Sequence, residues 1–356
     1  MNFFLQLIKA RWIFKKPSKK KILVYDRFSE TFAQILFPKI DYEILDVRYE
    51  SINIYVLVST LLRFQFKNFR DNYKKIFFNL VSPKLVYTSV DNNLAFFRLK
   101  DLYSKAIYIS DQNGMRQNTF NNECRNYINK SKNKLKADHI FLFGQNEKKR
   151  FSKIIEGNIY TLGNTKNNHY PINRSNTKKK IQSIMFICSA TNKKDEEIDK
   201  SIFGHLHKYC IKKNIKLIFC SRFGLSMEHF YRKNYGKGDW IYFPRINTAS
   251  TFKNLNKQQM VVFSHSSLGY QALAKGLRCA VFQKSFPIKG NNVKYPKSGV
   301  FWTNSKKYED FAKLLNRVIA FSNKRWKKIA SRYSTEILSY DPANIKKRKI
   351  IKMALR

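Results

Sequence analysis

The strongest constraint on this chain is a set of short, nearly unbroken apolar runs separated by stretches of helical character. Lys21–Tyr25 (KILVY), Tyr42–Val47, Lys84–Val90 (KLVYTSV), Ala106–Ser110 (AIYIS) and His139–Phe143 (HIFLF) are rich in β-branched and aromatic residues. Runs of that kind predict strands buried on both faces, which means a parallel sheet covered by helices such as Ser51–Arg63 and Leu94–Leu102. A polar, basic stretch, Asn164–Gln182, carries Pro171, has no periodicity and reads as a linker. The alternation then restarts with strands Ser183–Ser189, Lys216–Cys220, Gln259–Phe263 and Arg278–Phe282. Their helices are Glu196–Lys213, with Ile198, Ile202, Leu206 and Cys210 on one stripe, and Leu268–Lys275, followed by two near Tyr308–Phe321 and Lys324–Leu338.

The expected fold class is therefore α/β, with two doubly wound Rossmann-like domains over residues 21–165 and 183–340, a linker at 166–182 and a basic tail at 341–356. A length of 356 residues agrees, because one core seldom grows that large. Two such halves predict a central cleft faced by the C-terminal ends of the strands, where loops and helix N-termini converge on ligands.

Lys and Arg number 69 against 24 Asp and Glu, a net charge of +45. A field of that sign draws nucleic acid, anionic membrane surfaces or phosphate-bearing small molecules. Abundant Lys, Asn, Ile, Phe and Tyr beside few Gly and Pro also fit a compositional bias toward AT-rich codons, so charge alone does not select among them. The longest uncharged apolar run, Ser51–Leu62, is too short to span a bilayer. Residues 1–20 lack a signal-peptide pattern, since Lys9 and Arg11 interrupt the apolar part. Phe4, Leu7, Ile8, Arg11 and Trp12 instead recur at helical spacing before a lysine cluster, which predicts a basic amphipathic segment able to lie on an anionic leaflet. Five scattered cysteines with no C-x-x-C predict reduced thiols and a cytoplasmic setting.

The sharpest local signal is Val261–Gly276 (VVFSHSSLGYQALAKG), a buried strand running through a hydroxyl-rich loop straight into a helix. Ser264, Ser266 and Ser267 supply donors, and the unsatisfied N–H groups of a helix start favour phosphate. Ordinary serine capping of a helix is the plainer reading. His265 and Leu268 complete the loop, Gly269 permits close approach, and Gln271 lies one turn in, where it could reach a ribose. Arg222, past the strand Lys216–Cys220, is a candidate cation for phosphate. In the first half, Asp26, Asp91 and Asp111 each follow a predicted strand, the zone where a general base would sit, although Asp also caps helices and turns. Gln112-Asn113-Gly114 predicts a tight, ligand-facing turn whose amides could read sugar hydroxyls.

The pattern S-x-S-S-L-G-Y-x-A-L-A-x-G of Ser264–Gly276, followed by a strand, resembles the donor-site segment of bacterial surface-carbohydrate (capsule and O-antigen type) glycosyltransferases of the GT-B fold. Asp91-Asn92-Asn93 with Phe96–Lys100, Gln112–Arg116, and Asp138–Gly144 leading to Gly163-Asn164 resemble other segments of that group, in matching order across roughly residues 80–285. The resemblance implies a nucleotide-sugar donor held by Ser264–Gly269, Gln271 and Arg222, with sugar or acceptor contacts from Gln112–Gly114 and Arg116. It favours Asp91 as base. Gln271 departs from the family's usual Glu, and an amide offers one acceptor oxygen where a carboxylate offers two.

A metal-independent transferase acting on a glycan or lipid-linked glycan at the cytoplasmic face of the inner membrane follows as the expectation, with no cofactor and no nucleic acid partner. No Asp-x-Asp is present to hold a metal, nor any H-x-x-x-H, G-x-S-x-G or P-loop pattern; His205 and His207 point to different helix faces, and Gly236–Asp239 reads as a surface turn. Two alternatives stand beside it: a CDP-glycerol-type glycerophosphotransferase of the same fold, and a basic nucleic-acid-binding protein. The second lacks a module signature and spreads its charge over both halves.

Overall fold

Ile22–Tyr25 is buried at every position, as a strand flanked by neighbours and covered on both faces must be. The computed structural model describes residues 10–48, 50–63, 68–116, 119–171, 181–190, 192–222, 227–282 and 295–356. The chain divides into two compact units. The first comprises Met1–Phe143, Glu147–Thr165 and Asn344–Arg356, and the second Gly144–Asn146 and Lys166–Ala343.

In the first unit, β1 (Arg11–Ile13), β2 (Ile22–Tyr25), β3 (Tyr42–Leu45), β4 (Ser51–Asn53), β5 (Leu85–Thr88), β6 (Ile107–Asp111), β7 (Leu135–Leu142) and β8 (Ile155–Thr161) follow in chain order. Six of them form a parallel sheet in the order β3-β2-β5-β6-β7-β8. Successive residues of a strand point to opposite faces, and the core obeys this rule. Leu23, Tyr25, Val86 and Tyr108 pack on one side, and Ile22, Val24, Leu85, Tyr87 and Ile109 on the other. Chain order reverses between β2 and β5, so their C-terminal ends open a crevice at a topological switch point.

The second unit contains β9 (Ser183–Ile187), β10 (Lys216–Cys220), β11 (Trp240–Phe243), β12 (Met260–Phe263), β13 (Arg278–Phe282) and β14 (Trp302–Thr303). They form a parallel sheet in the order β11-β10-β9-β12-β13-β14. This is the Rossmann arrangement, with its switch point between β9 and β12. Helix Lys193–Lys213 starts three residues before the expected Glu196, because the Asn192 side chain accepts the Asp195 N–H as an N-cap. Gly236, at φ 93°, ends helix Glu228–Tyr235 ahead of β11, in keeping with the turn expected at Gly236–Asp239.

Three expectations are corrected. Ser51–Asn53 is a strand paired with Arg11–Ile13, and the helix begins at Ile54, where the Asn53 side chain caps the Val56 N–H. The amphipathic N-terminal helix fails at Arg11 and Trp12, which lie on β1; Phe4, Leu7 and Ile8 lie outside the described residues. The stretch read as a basic tail contains a helix, Ile345–Ala354, that buries Lys347 and Ile351 in the first unit. Of the expected linker, residues 172–180 lie outside the described residues, while Thr165–His169 is helical. The five cysteines are buried free thiols. Among the described residues no helix is long and apolar enough to cross a membrane.

Candidate functional site

Each unit gathers polar side chains at the C-terminal ends of its strands. In the first, Asp26 follows β2 in a backbone conformation uncommon for a non-glycine residue (φ 76°). Its carboxylate accepts the Phe28 N–H at 3.0 Å and the Arg48 guanidinium at 2.9 Å. Arg48 also lines a cavity of about 380 Å³. Tyr25, Leu45, Ile52 and Tyr73 supply much of its wall, with Arg70 and Lys74 as further cations and Asn93 from the loop beyond β5.

Asp91 is fully buried just past β5. It accepts the Asn113 N–H at 3.2 Å and both arms of Arg116, whose Nε lies at 2.9 Å. Burial raises the Asp91 pKa, and Arg116 opposes that rise without cancelling it. Beside this pair, Glu147 accepts from Arg150 at 2.7 Å, and Arg150 also donates to the Arg116 carbonyl oxygen. Desolvation drives the Glu147 pKa up to about 7; Arg150 counteracts it and the Asp91 charge adds to it.

A carboxyl group with a higher pKa in the fold than in the unfolded chain holds its proton in the native state across the interval between the two. Its contribution to stability therefore falls as pH rises from about 4.5 to about 7, by roughly 3 kcal/mol. Glu147→Gln should remove that slope. The stability difference between wild type and variant should shift by this amount between about pH 5 and pH 7.5 in guanidinium denaturation.

Asp111, the third candidate base, is committed to the fold. It is fully buried and takes a hydroxyl from Tyr87 at 3.0 Å, another from Thr165 at 2.5 Å and the Lys347 ammonium at 2.6 Å. The turn expected at Gln112–Gly114 differs as well. Neither Asn113 nor Gly114 adopts positive φ. The Gln112 amide turns inward, accepting the Phe143 N–H at 2.8 Å and donating to the Gly114 carbonyl at 2.9 Å. The Asn113 amide oxygen accepts from Arg116 at 2.6 Å. The Gln112 amide and the Asn113 amide oxygen are thus engaged within the loop, which Arg116 ties to Asp91, while Asn113 itself stays half-exposed.

In the second unit, loops after β9 and β12 meet at the switch point. Ser264 donates to Asp199 at 2.6 Å and lies 2.8 Å from the Ser189 hydroxyl. Asp199 also accepts the N–H groups of Ser189 (2.8 Å) and Ala190 (3.0 Å). Desolvation raises the Asp199 pKa, with the Ser264 hydroxyl opposing. The carboxylate thus knits both loops together, and the His265 N–H reaches the Ser189 hydroxyl at 3.4 Å.

Ser266 sits at the N-cap of helix Ser267–Ala274, yet its side chain makes no capping bond. Ser267 is exposed at the first turn. The first N–H groups of a helix have no carbonyl four residues back, so this end offers donors and positive potential. Leu268 and Gln271 are buried along the helix. A Cβ on Gly269 would come within 2.3 Å of the Phe263 ring, so close packing of helix on strand explains that glycine. Arg222 donates to the Ala190 carbonyl at 3.4 Å, and Arg245, past β11, reaches the Ser221 hydroxyl through its N–H at 3.1 Å. Among the described residues, no group of three or more His, Cys, Asp or Glu side chains is placed to hold a metal ion.

Sequence reasoning missed Ser189, Asp199, Glu147 and Lys347. Asp199 left a signal, an acid three, four and seven residues before Ile202, Phe203 and Leu206, inside the buried stripe. Lys347 left none among its basic neighbours.

Two Rossmann-like units of parallel strands, each with polar clusters at its strand C-termini, define a GT-B-type α/β protein. Residues 109–355 match the family model described as "putative O-antigen biosynthesis protein". The chain belongs to that family, which places it with proteins of bacterial surface-carbohydrate biosynthesis, as the motif resemblance implies. No curated protein matches it. Solved structures share the fold at low identity. A putative UDP-N-acetylglucosamine 2-epimerase from Listeria monocytogenes aligns with a TM-score of 0.58 at 12% identity, covering 94% of this chain and 96% of that one. A second UDP-N-acetylglucosamine 2-epimerase gives 0.55 at 12%, covering 95% of each chain. The wall teichoic acid polymerase TagF gives 0.52 at 11%, covering 95% of this chain and 90% of that one.

Proposed function

We propose that this protein is a metal-independent glycosyltransferase that moves a sugar from a nucleotide-sugar donor to a glycan or lipid-linked glycan acceptor at the cytoplasmic face of the inner membrane. The observation that carries the reading is the stitched junction of Ser189, Asp199 and Ser264 beneath the N-terminus of helix Ser267–Ala274. There Ser267 is exposed, Ser266 lies buried at the N-cap with no capping bond, and the first-turn N–H groups add donors, while Arg222 is held on the Ala190 carbonyl of the neighbouring loop. Such an array stabilises negative charge as it develops on a leaving nucleotide phosphate. In the first unit, the cavity lined by Arg48, Arg70 and Lys74 offers cations above an apolar wall for the acceptor.

Asp91 is the proton acceptor of this scheme, which requires Arg116 to swing off its buried carboxylate when the acceptor binds. The acceptor hydroxyl oxygen bonds to the anomeric carbon, its proton passes to Asp91, and the carbon–oxygen bond to the nucleotide phosphate breaks with its electrons on the phosphate. A carboxylate whose pKa is raised by burial is a better base near neutrality than an exposed one.

A thermal-shift panel of CMP, CDP, UDP and an RNA oligonucleotide tests the reading, joined to a product-detecting transfer assay with and without EDTA. Stabilisation by one nucleotide, a tenfold or greater loss of that affinity in Ser266→Ala/Ser267→Ala, and transfer that survives EDTA are expected. Unchanged affinity in the double variant would refute the donor assignment. TagF was solved with CDPG, so a CDP-glycerol donor is the alternative the CDP arm detects. Salt-sensitive RNA binding without nucleotide stabilisation would favour a nucleic-acid-binding protein.

A further inference from the structure

A second feature of the first unit lies at the other end of its sheet. A groove of about 810 Å³ runs beside the N-terminal ends of β2 and β3, whereas Asp26 and Asp91 follow the C-terminal ends. Three segments build it: the residues preceding β2, the turn after helix Glu30–Leu36, and helix Ile345–Ala354. Arg348 fastens that helix in place by donating to the Ile35 carbonyl oxygen at 2.8 Å.

Lys19, Lys21, Lys39, Arg348 and Lys352 line the groove. Asp41 is the one carboxylate side chain among the lining residues, and Lys20 already neutralises it. The groove therefore carries a concentrated positive field over and above the general charge of the chain. Its accessible apolar surface comes from half-buried Leu355 and from Ile40, 36% exposed at the rim, with Leu36, Phe37 and Ile351 buried beneath them.

We propose that this groove seats the headgroup and upper acyl region of an anionic phospholipid, docking the first unit on a negatively charged leaflet. Cations beside an accessible apolar surface match a phosphate joined to a hydrocarbon chain. Single-stranded nucleic acid fits poorly, because it needs exposed aromatic faces for its bases. Phe37, the one aromatic residue of the lining, is 2% exposed. This inference does not rest on the proposed transferase activity or on residues 1–9.

The test is co-sedimentation of the full chain with vesicles of phosphatidylcholine alone, or of equal parts phosphatidylcholine and phosphatidylglycerol. Lys19→Gln/Lys39→Gln/Lys352→Gln should lower partitioning into the mixed vesicles by roughly a hundredfold, at about fivefold per lysine. Lys193→Gln/Lys194→Gln/Lys253→Gln makes the same charge change on exposed positions of the second unit, and should cost less than about fivefold. Ile40→Ser, which leaves charge untouched, should weaken partitioning severalfold and make the remainder more salt-sensitive. Equal losses in the two triple variants would assign binding to bulk charge and overturn the proposal. So would binding that ignores phosphatidylglycerol, release by millimolar inorganic phosphate, or RNA binding that the groove variant abolishes while vesicle binding survives.

Discussion

Asp91→Asn is expected to lower the rate of sugar transfer by about 10²–10⁴-fold, the usual contribution of a positioned general base, while leaving nucleotide stabilisation of the protein unchanged. The amide keeps one acceptor oxygen toward Arg116 or the Asn113 N–H but can no longer take a proton. The variant also leaves Arg116 without its counter-charge, so lost stability must be separated from lost chemistry. A second variant does this. Asp91→Leu/Arg116→Met removes both partners of the buried pair, a change that is often neutral or stabilising where removal of one partner is not. Recovered stability with transfer still absent supports Asp91 as the base, whereas recovered transfer would reduce it to a structural anion. The pH profile gives an independent reading. Protonation of Glu147 near pH 7 changes the charge beside Asp91, so the rising limb of the wild-type profile should move in Glu147→Gln.

Lys347→Met should destabilise the first unit by about 3–5 kcal/mol, the usual result of stranding one member of a buried ion pair. The ammonium donates to Asp111 at 2.6 Å, to the Gly163 carbonyl at 2.8 Å and to the Thr165 hydroxyl at 2.8 Å. Both charged side chains are fully buried. Methionine fills most of the same volume, so the loss is electrostatic more than steric, and the melting temperature should fall by about 10 °C. Lys347→Met/Asp111→Leu should regain much of that loss. A single variant as stable as wild type would mean that Asp111 is satisfied by Tyr87 and Thr165 alone.

Those two residues mark how far the sequence can be read. Strands β2, β5, β9, β10 and β12 are legible because each is a continuous apolar run whose neighbours bury both faces. Strand β8 is not, since it closes one edge of its sheet as IEGNIYT, with exposed polar positions and Gly157 at φ 148°. An edge strand need satisfy only one neighbour, so its composition carries little signal. Arg11 and Trp12 suit an amphipathic helix as well as a strand, and pairing with Ser51–Asn53 decides between them. In the site, Asp91 and the Ser264–Ser267 loop are legible because strand ends place them. The work of each serine is not: Ser264 is occupied by Asp199, 65 residues away in sequence, Ser266 is buried at the N-cap without a capping bond, and Ser267 is exposed at the first turn. The donor panel also tests the departure at Gln271, which is buried on the helix that follows.

The first unit also has a timetable. Its opening residues leave the ribosome long before Asn344–Arg356 exist, so nascent Asp111 must wait through the synthesis of the whole intervening unit for its cation. A fragment ending near Thr165 would keep that wait indefinitely, and would call for a chaperone or for the detached peptide 344–356 supplied in trans.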